Sequence, residues 1–165
     1  MHFMSETVAD GVSERLFTVG DIPGVLWSAA GAVGPARSRR PLVLLAHGGG
    51  QHKKAPNVQG RARRLVTTCG FAAAAIDAPG CGDRPRTEED EGFIAEIRGR
   101  MAAGEPVGPQ VARYNAAQAG QAVPEWRATL DALQAQPGRH GDMPMFEVES
   151  SLRFLGRHLR PGDGG

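Results

Sequence analysis

The chain has 165 residues, enough for one domain with its own core, and its 19 basic and 18 acidic side chains leave a net charge of +1. With no basic stripe interleaved with aromatics, nucleic acid is not an expected partner. No run nears 18 apolar residues, no basic start leads into an apolar stretch, and Cys69 and Cys81 match no metal or redox spacing. Neither a membrane span nor a signal peptide is expected, and the reading is a cytoplasmic protein with no metal site.

In chain order, 1–14 reads as a tail. "RLFTVG" (15–20) and "GVLWSA" (24–29) are β-leaning runs separated by Asp21, Pro23 and Gly24, the pattern of an antiparallel hairpin. After a proline-bearing connection comes "LVLLA" (42–46), an unbroken apolar run of the kind expected for a strand covered on both faces. It leads directly into His47, Gly48, Gly49 and Gly50. Val58, Ala62, Leu65, Val66 and Cys69 then recur at helical spacing up to Gly70, and "FAAAAI" (71–76) reads as a second buried strand ending at Asp77. Strand, helix and strand in this order make a parallel pair with a crossover helix. That unit puts the glycine loop and Asp77 at one carboxyl edge of the sheet, where ligands bind in open α/β sheets.

Thr87 with Glu88, Glu89 and Asp90 resembles a helix start, and Phe93, Ile94, Ile97 and Met101 keep helical spacing. Residues 109–135 read as helical in two pieces, with Pro124 in the first turn of the second. Val148, Leu152, Leu155 and Leu159 mark a last helix.

Glycines after a strand let backbone N–H groups approach a ligand, and such donors can hold an oxygen that becomes negative during acyl transfer. The chain is rich in glycine throughout, however, with 23 in 165 residues, and a lone Gly-rich turn carries little weight. "LLAHGGGQ", then "AAIDAPGCGDRP", then "PGRHGDMPMFEVESSLRFLGRHL" together resemble the α/β-hydrolase family, particularly its dienelactone-hydrolase-like branch. The resemblance covers most of 15–160, as an N-terminal half (15–135) and a histidine loop with the last helix (137–160), with 161–165 left as a tail. It implies an α/β fold: a mixed, mainly parallel sheet with flanking helices, an incomplete version of the family's. It also implies an oxyanion loop at His47, Gly48, Gly49 and Gly50, a catalytic histidine at His140, and hydrolysis of carboxylic esters or similar acyl bonds without a cofactor.

The nucleophile is missing. The family places it on a G-x-S-x-G elbow, and none of the six serines (Ser5, Ser13, Ser28, Ser38, Ser150 and Ser151) has glycine at both flanking positions. Cys69 and Cys81 do not fit a thiol version of the elbow, and no acid can be identified. "PEWRATLDALQA" (124–135) resembles the helix that leads into the nucleophile strand, yet it passes directly into the histidine loop. This points to an internal deletion with a seam near 134–138, and to an impaired or inactive hydrolase. The deleted strand would have paired with 42–46, so an apolar edge is left open for self-association.

His47 is read as a structural member of its loop rather than a proton carrier, and Asp77 as a cap or turn residue more than a ligand. Lys53 and Lys54 are read as solvated rather than phosphate-binding. The expected partner is a small ester-like substrate or ligand. The alternative is a noncatalytic α/β module that binds a small ligand or self-associates.

Overall fold

A computed structural model of the chain describes residues 1–31 and 40–136. Three strands open the fold as a meander: β1 (His2–Ala9), β2 (Val12–Val19) and β3 (Ile22–Ala29). The first turn is Asp10-Gly11 with φ of 52° and 73°, the mirror-image geometry that tight hairpins need and that Asp-Gly supplies. The second is Gly20-Asp21, with Gly20 at φ 60°. Residues 1–14 are therefore not a tail, because β1 pairs with β2 from His2 to Ala9 with one irregularity at Met4. Nearly every side chain of β1 is exposed, so the strand carries no apolar pattern to read and is held by its ladder.

Pro23 and Gly24 lie inside β3 rather than in the turn. Pro23 has no N–H to give, and its carbonyl accepts from Asp77. Gly24 gives up its side-chain space to Phe17: a Cβ there would sit 2.3 Å from the Phe17 ring.

After β4 (Leu42–Leu44), helix α1 (Pro56–Cys69) crosses to β5 (Ala72–Ile76), and Gly70 ends the helix in the left-handed region at φ 69°. The strand order is β1-β2-β3-β5-β4, with β4 parallel to β5 and the other three pairings antiparallel. The sheet is mixed and flanked by helices as expected, but within the described residues it is mainly antiparallel, because the N-terminal meander contributes most of the pairs. The parallel unit predicted across 42–76 is present.

β5 sits at the centre and all five of its residues are buried. Ala73 and Ala75 face one core with Val25, Trp27, Val58, Ala62 and Val66. Ala72, Ala74 and Ile76 face the other with Phe17, Leu26 and Leu133. A strand of alanines suits a layer covered on both sides, since small side chains let both helical layers approach closely.

α2 (Glu88–Ala102) and α3 (Gly108–Gln134) follow. Thr87 caps α2 as expected, and the reciprocal bonds of a capping box join it to Asp90. The apolar stripe of α2 is only partly used, since Phe93, Ile94 and Ile97 are half-buried and Met101 is exposed. Residues 108–134 form one helix, not two, with Pro124 inside it. Pro124 cannot bond the carbonyl of Gly120, but both residues are exposed and water can satisfy that carbonyl. Trp126, Leu130 and Leu133 anchor the end of α3 on the sheet.

Candidate functional site

β4 and β5 are parallel, so their carboxyl ends deliver the glycine loop and Asp77 to the same edge. His47 is half-buried, while Gly48, Gly49 and Gly50 are exposed. His47 Nδ1 lies 2.8 Å from the Gly48 carbonyl, and Nε2 lies 3.1 Å from the backbone N–H of Ala78. A single neutral tautomer satisfies both contacts, with Nδ1–H donating and Nε2 accepting. Both ring nitrogens are thus committed to the backbone. The Gly48 N–H donates to Gln51 Oε1 at 3.3 Å, and the Gln51 N–H closes a turn on the Gly48 carbonyl. Gly50, at φ 72°, completes the turn. Among the described residues the N–H groups of Gly49 and Gly50 meet no acceptor.

Lys53 does not behave as a solvated lysine. It is buried, as is Asp77, and its ammonium lies 2.7 Å from Asp77 and 2.5 Å from the exposed Asp83. Its backbone N–H donates to the other Asp77 oxygen at 2.7 Å, and the Asp83 N–H adds a further bond at 3.0 Å. Burial opposes ionisation of Asp77. The Asp83 N–H and the Lys53 ammonium and N–H outweigh it and hold the carboxyl below its ordinary range. Burial likewise works against the charged Lys53, but Asp77 and Asp83 raise it above the usual lysine value. Gly82, at φ 59°, is required here because a Cβ would meet the Asp77 carboxyl group at 2.3 Å. Asp77 therefore ties the loop after β4 to the loop after β5, a role close to the loop-turning one read from the sequence. The burial of Lys53 was not foreseen, since only the fold brings Asp77 beneath it. Lys54 also has a partner, pairing with Glu14 at 2.6 Å.

A second cluster lies between the loop after β5 and α3, around a cleft of about 400 Å³ lined by Arg84, Thr87, Asp90, Tyr114, Gln118 and Gln121 among others. The glycine loop is not part of its wall. Asp90 is buried and accepts from the Thr87 N–H at 2.8 Å, the Thr87 hydroxyl at 2.9 Å, the Gln118 amide at 3.1 Å and the Tyr114 hydroxyl. Burial works against its charge, but these donors prevail and keep the carboxyl below its ordinary range. Burial and the neighbouring Asp90 push Tyr114 up to about 12. Phe93 stacks on the Tyr114 ring at 3.9 Å between centroids. Arg84 forms a two-pronged pair with Glu125 at 2.5 and 2.9 Å. Of this cluster only Thr87 and Asp90 left a sequence signal, as a helix start; Arg84, Tyr114 and Gln118 converge only through the packing of α3.

Among the described residues no serine lies beside the glycine loop. Ser13 and Ser28 pair with each other, and Trp27 pairs with Ala73, which puts both serines at the amino end of β5, opposite the glycine loop. Ser13 is also occupied with Glu6. Ser5 lies on β1, beyond β2. His140, Ser38, Ser150, Ser151 and the predicted last helix lie outside the described residues. No group of three or more potential metal ligands occurs among the described residues, and none of their helices is long and apolar enough to cross a membrane.

No protein-family model matches the sequence, and no curated protein does. Solved structures do match. A PEG-bound cold-adapted esterase from an Arctic intertidal metagenomic library aligns with 28% identity and a TM-score of 0.55 over 85% of this chain and 53% of its own. The fold is an incomplete α/β-hydrolase fold. The native structure of a cold-adapted esterase from the same kind of library aligns at 26% identity and a TM-score of 0.48, over 85% of this chain and 50% of its own. The chain spans about half the length of these structures.

Proposed function

We propose that this chain carries the glycine-loop half of a hydrolase acting on carboxylic esters or similar acyl bonds, of the dienelactone-hydrolase-like kind. Its nucleophile elbow and acid have been removed by an internal deletion near 134–138. The observation that carries this reading is the exposed, acceptor-free pair of N–H groups at Gly49 and Gly50, set at the carboxyl end of β4 just ahead of α1. Two such donors are what an oxyanion requires. The match to an esterase over most of this chain but about half of the esterase supports it.

Without a nucleophile elbow in the sequence, this reading has a small ester-like molecule bound without efficient turnover. At most the residual catalysis of donors and binding is left, about 10³ to 10⁴ over water. The test is intact-mass analysis after a serine-directed fluorophosphonate, together with hydrolysis of an activated ester. The expected result is no adduct on a chain that unfolds cooperatively. A stoichiometric adduct, or turnover abolished by His140→Ala, would refute the missing nucleophile.

A noncatalytic, self-associating module is the second reading. β4 has no strand beyond it among the described residues, and Val43 and Leu44 are only half-buried. Concentration-dependent dimers without turnover would favour it.

A further inference from the structure

Between Leu45 and Ala55 the chain leaves the core, and Lys53 is the only buried residue on that stretch. Nothing packs against the two glycines whose N–H groups are open: a Cβ on Gly49 or Gly50 would meet no atom within 4 Å. The position of these donors is therefore set by what holds the loop elsewhere. The turn that Gln51 closes on Gly48 fixes the shape of the loop but ties it to no other segment. Among the described residues, two ties lead from 47–53 to another element, both to the loop after β5. His47 Nε2 accepts from the Ala78 N–H at 3.1 Å. Lys53 reaches Asp77 through its N–H and its ammonium, at 2.7 Å each, and Asp83 through its ammonium at 2.5 Å.

The two ties are unequal. The first is a single neutral bond to a half-buried ring. The second consists of three charge-assisted bonds, the stronger kind, to a lysine that is itself buried. Its main acceptor is fixed in turn, since the Asp83 N–H donates to Asp77 and the missing Cβ of Gly82 leaves room for that carboxylate. Donors that receive a developing negative charge must be in place before it forms, and a displacement of about 1 Å can cost about 10²-fold. The ammonium of Lys53 is buried on two carboxylates, so its effect on a ligand runs through the glycines.

We propose that Lys53 is the positioning residue of the glycine loop: anchored on Asp77 and Asp83, it holds the Gly49 and Gly50 N–H groups in place for an anionic oxygen. The proposal rests on reading the loop as an oxyanion site.

The experiment is backbone amide NMR of the full chain, with ethyl methylphosphonate, an ester-like monoanion, as the probe. In the ligand-free chain the heteronuclear NOE of Gly49 and Gly50 reports their order on the ps–ns scale. It is expected to match that of α1 in the parent and to fall in Lys53→Met/Asp77→Asn, while α1 and β5 keep theirs. This double variant strands no charge. The phosphonate is expected to shift both amides saturably in the parent and to bind the double variant about tenfold more weakly. Val12→Ala, a core truncation at the opposite end of the sheet, controls for lost stability alone and should leave both readings as in the parent. Asp83→Asn changes an exposed carboxylate, so it keeps the fold if the double variant does not, and should weaken binding about threefold. Gly49 and Gly50 as ordered in the variants as in the parent overturn the proposal, as does unchanged affinity or an equal loss in Val12→Ala. The ligand-free comparison judges the anchor by itself. If it holds and the phosphonate shifts neither amide in the parent, the oxyanion reading is what fails.

Discussion

Replacing Lys53 by Met removes the cation that ion-pairs with a fully buried Asp77 and leaves the field of Arg84 as its remaining positive charge among the described residues. At a separation of 2.7 Å and an effective dielectric of about 20, the pair attracts by about 6 kcal/mol. Desolvation of both groups offsets much of this, so replacing both partners together would cost little. Losing one partner is different. Asp77 keeps two backbone N–H bonds but no contacting counter-charge among the described residues, a situation that costs about 3–5 kcal/mol. Asp83 contributes little to the difference because it is largely exposed.

Urea unfolding followed through the emission of Trp27 and Trp126, both packed in the core, measures the loss. With a slope of about 2 kcal/mol per molar urea, the midpoint should fall by about 2 M. Lys53→Met/Asp77→Asn should recover more than half of it, which keeps the test readable if the single variant barely folds. The pH dependence follows from the directions of the shifts. The Asp77 carboxyl is held low in the fold, so its stabilisation is present above the unfolded value of about 3.9 and is lost as pH falls through the folded value. Lys53 is raised, so its share is present below about 10.4 and is lost as pH climbs through the folded value. Without Lys53, protonating Asp77 relieves the stranded charge, and acidification should narrow the gap between variant and parent. A midpoint shift worth under about 1 kcal/mol, or a gap that widens in acid, would refute the assignment of Lys53–Asp77 as a buried mutual pair.

Tyr114 is the sole tyrosine, so its phenolate absorbance reads one site: the titration midpoint should lie at about 12, and Asp90→Asn should bring it down toward 10. Gly24→Ala places a methyl group against the Phe17 ring and should cost about 1–3 kcal/mol in urea unfolding. Gly82→Ala combines a left-handed φ with a clash on Asp77, and its loss in urea should exceed the roughly 1 kcal/mol expected for backbone strain alone. Thr87→Ala removes the α2 cap and should lower stability by about 1 kcal/mol, with helical circular dichroism reporting where the helix frays.

Local signals were strong wherever one stretch of chain sets its own structure. The alanine run of β5, the stripe of α1 ending at Gly70 and the Thr87 start of α2 could all be read directly, because burial on two faces, helical period and capping are written in neighbouring residues. The glycine loop could be placed at a carboxyl edge from the strand-helix-strand order alone. β1 could not be read, because all its side chains but Phe3 face water and the ladder to β2 makes it a strand. Pro124 looked like a boundary and proved to be an exposed interior position, tolerated because α3 is anchored beyond it by Trp126, Leu130 and Leu133. Lys53 beneath Asp77 and Asp83, and Asp90 beneath Tyr114 and Gln118, were beyond any reading of spacing: 24 residues separate Lys53 from Asp77, and 24 and 28 separate Asp90 from its two partners. The sequence by itself determined the strand-helix-strand unit and the chemistry on offer at its edge. Only the tertiary structure decided which charges are buried, which donors are spent and where a cleft opens, because desolvation and hydrogen-bond satisfaction depend on which distant segments are packed together.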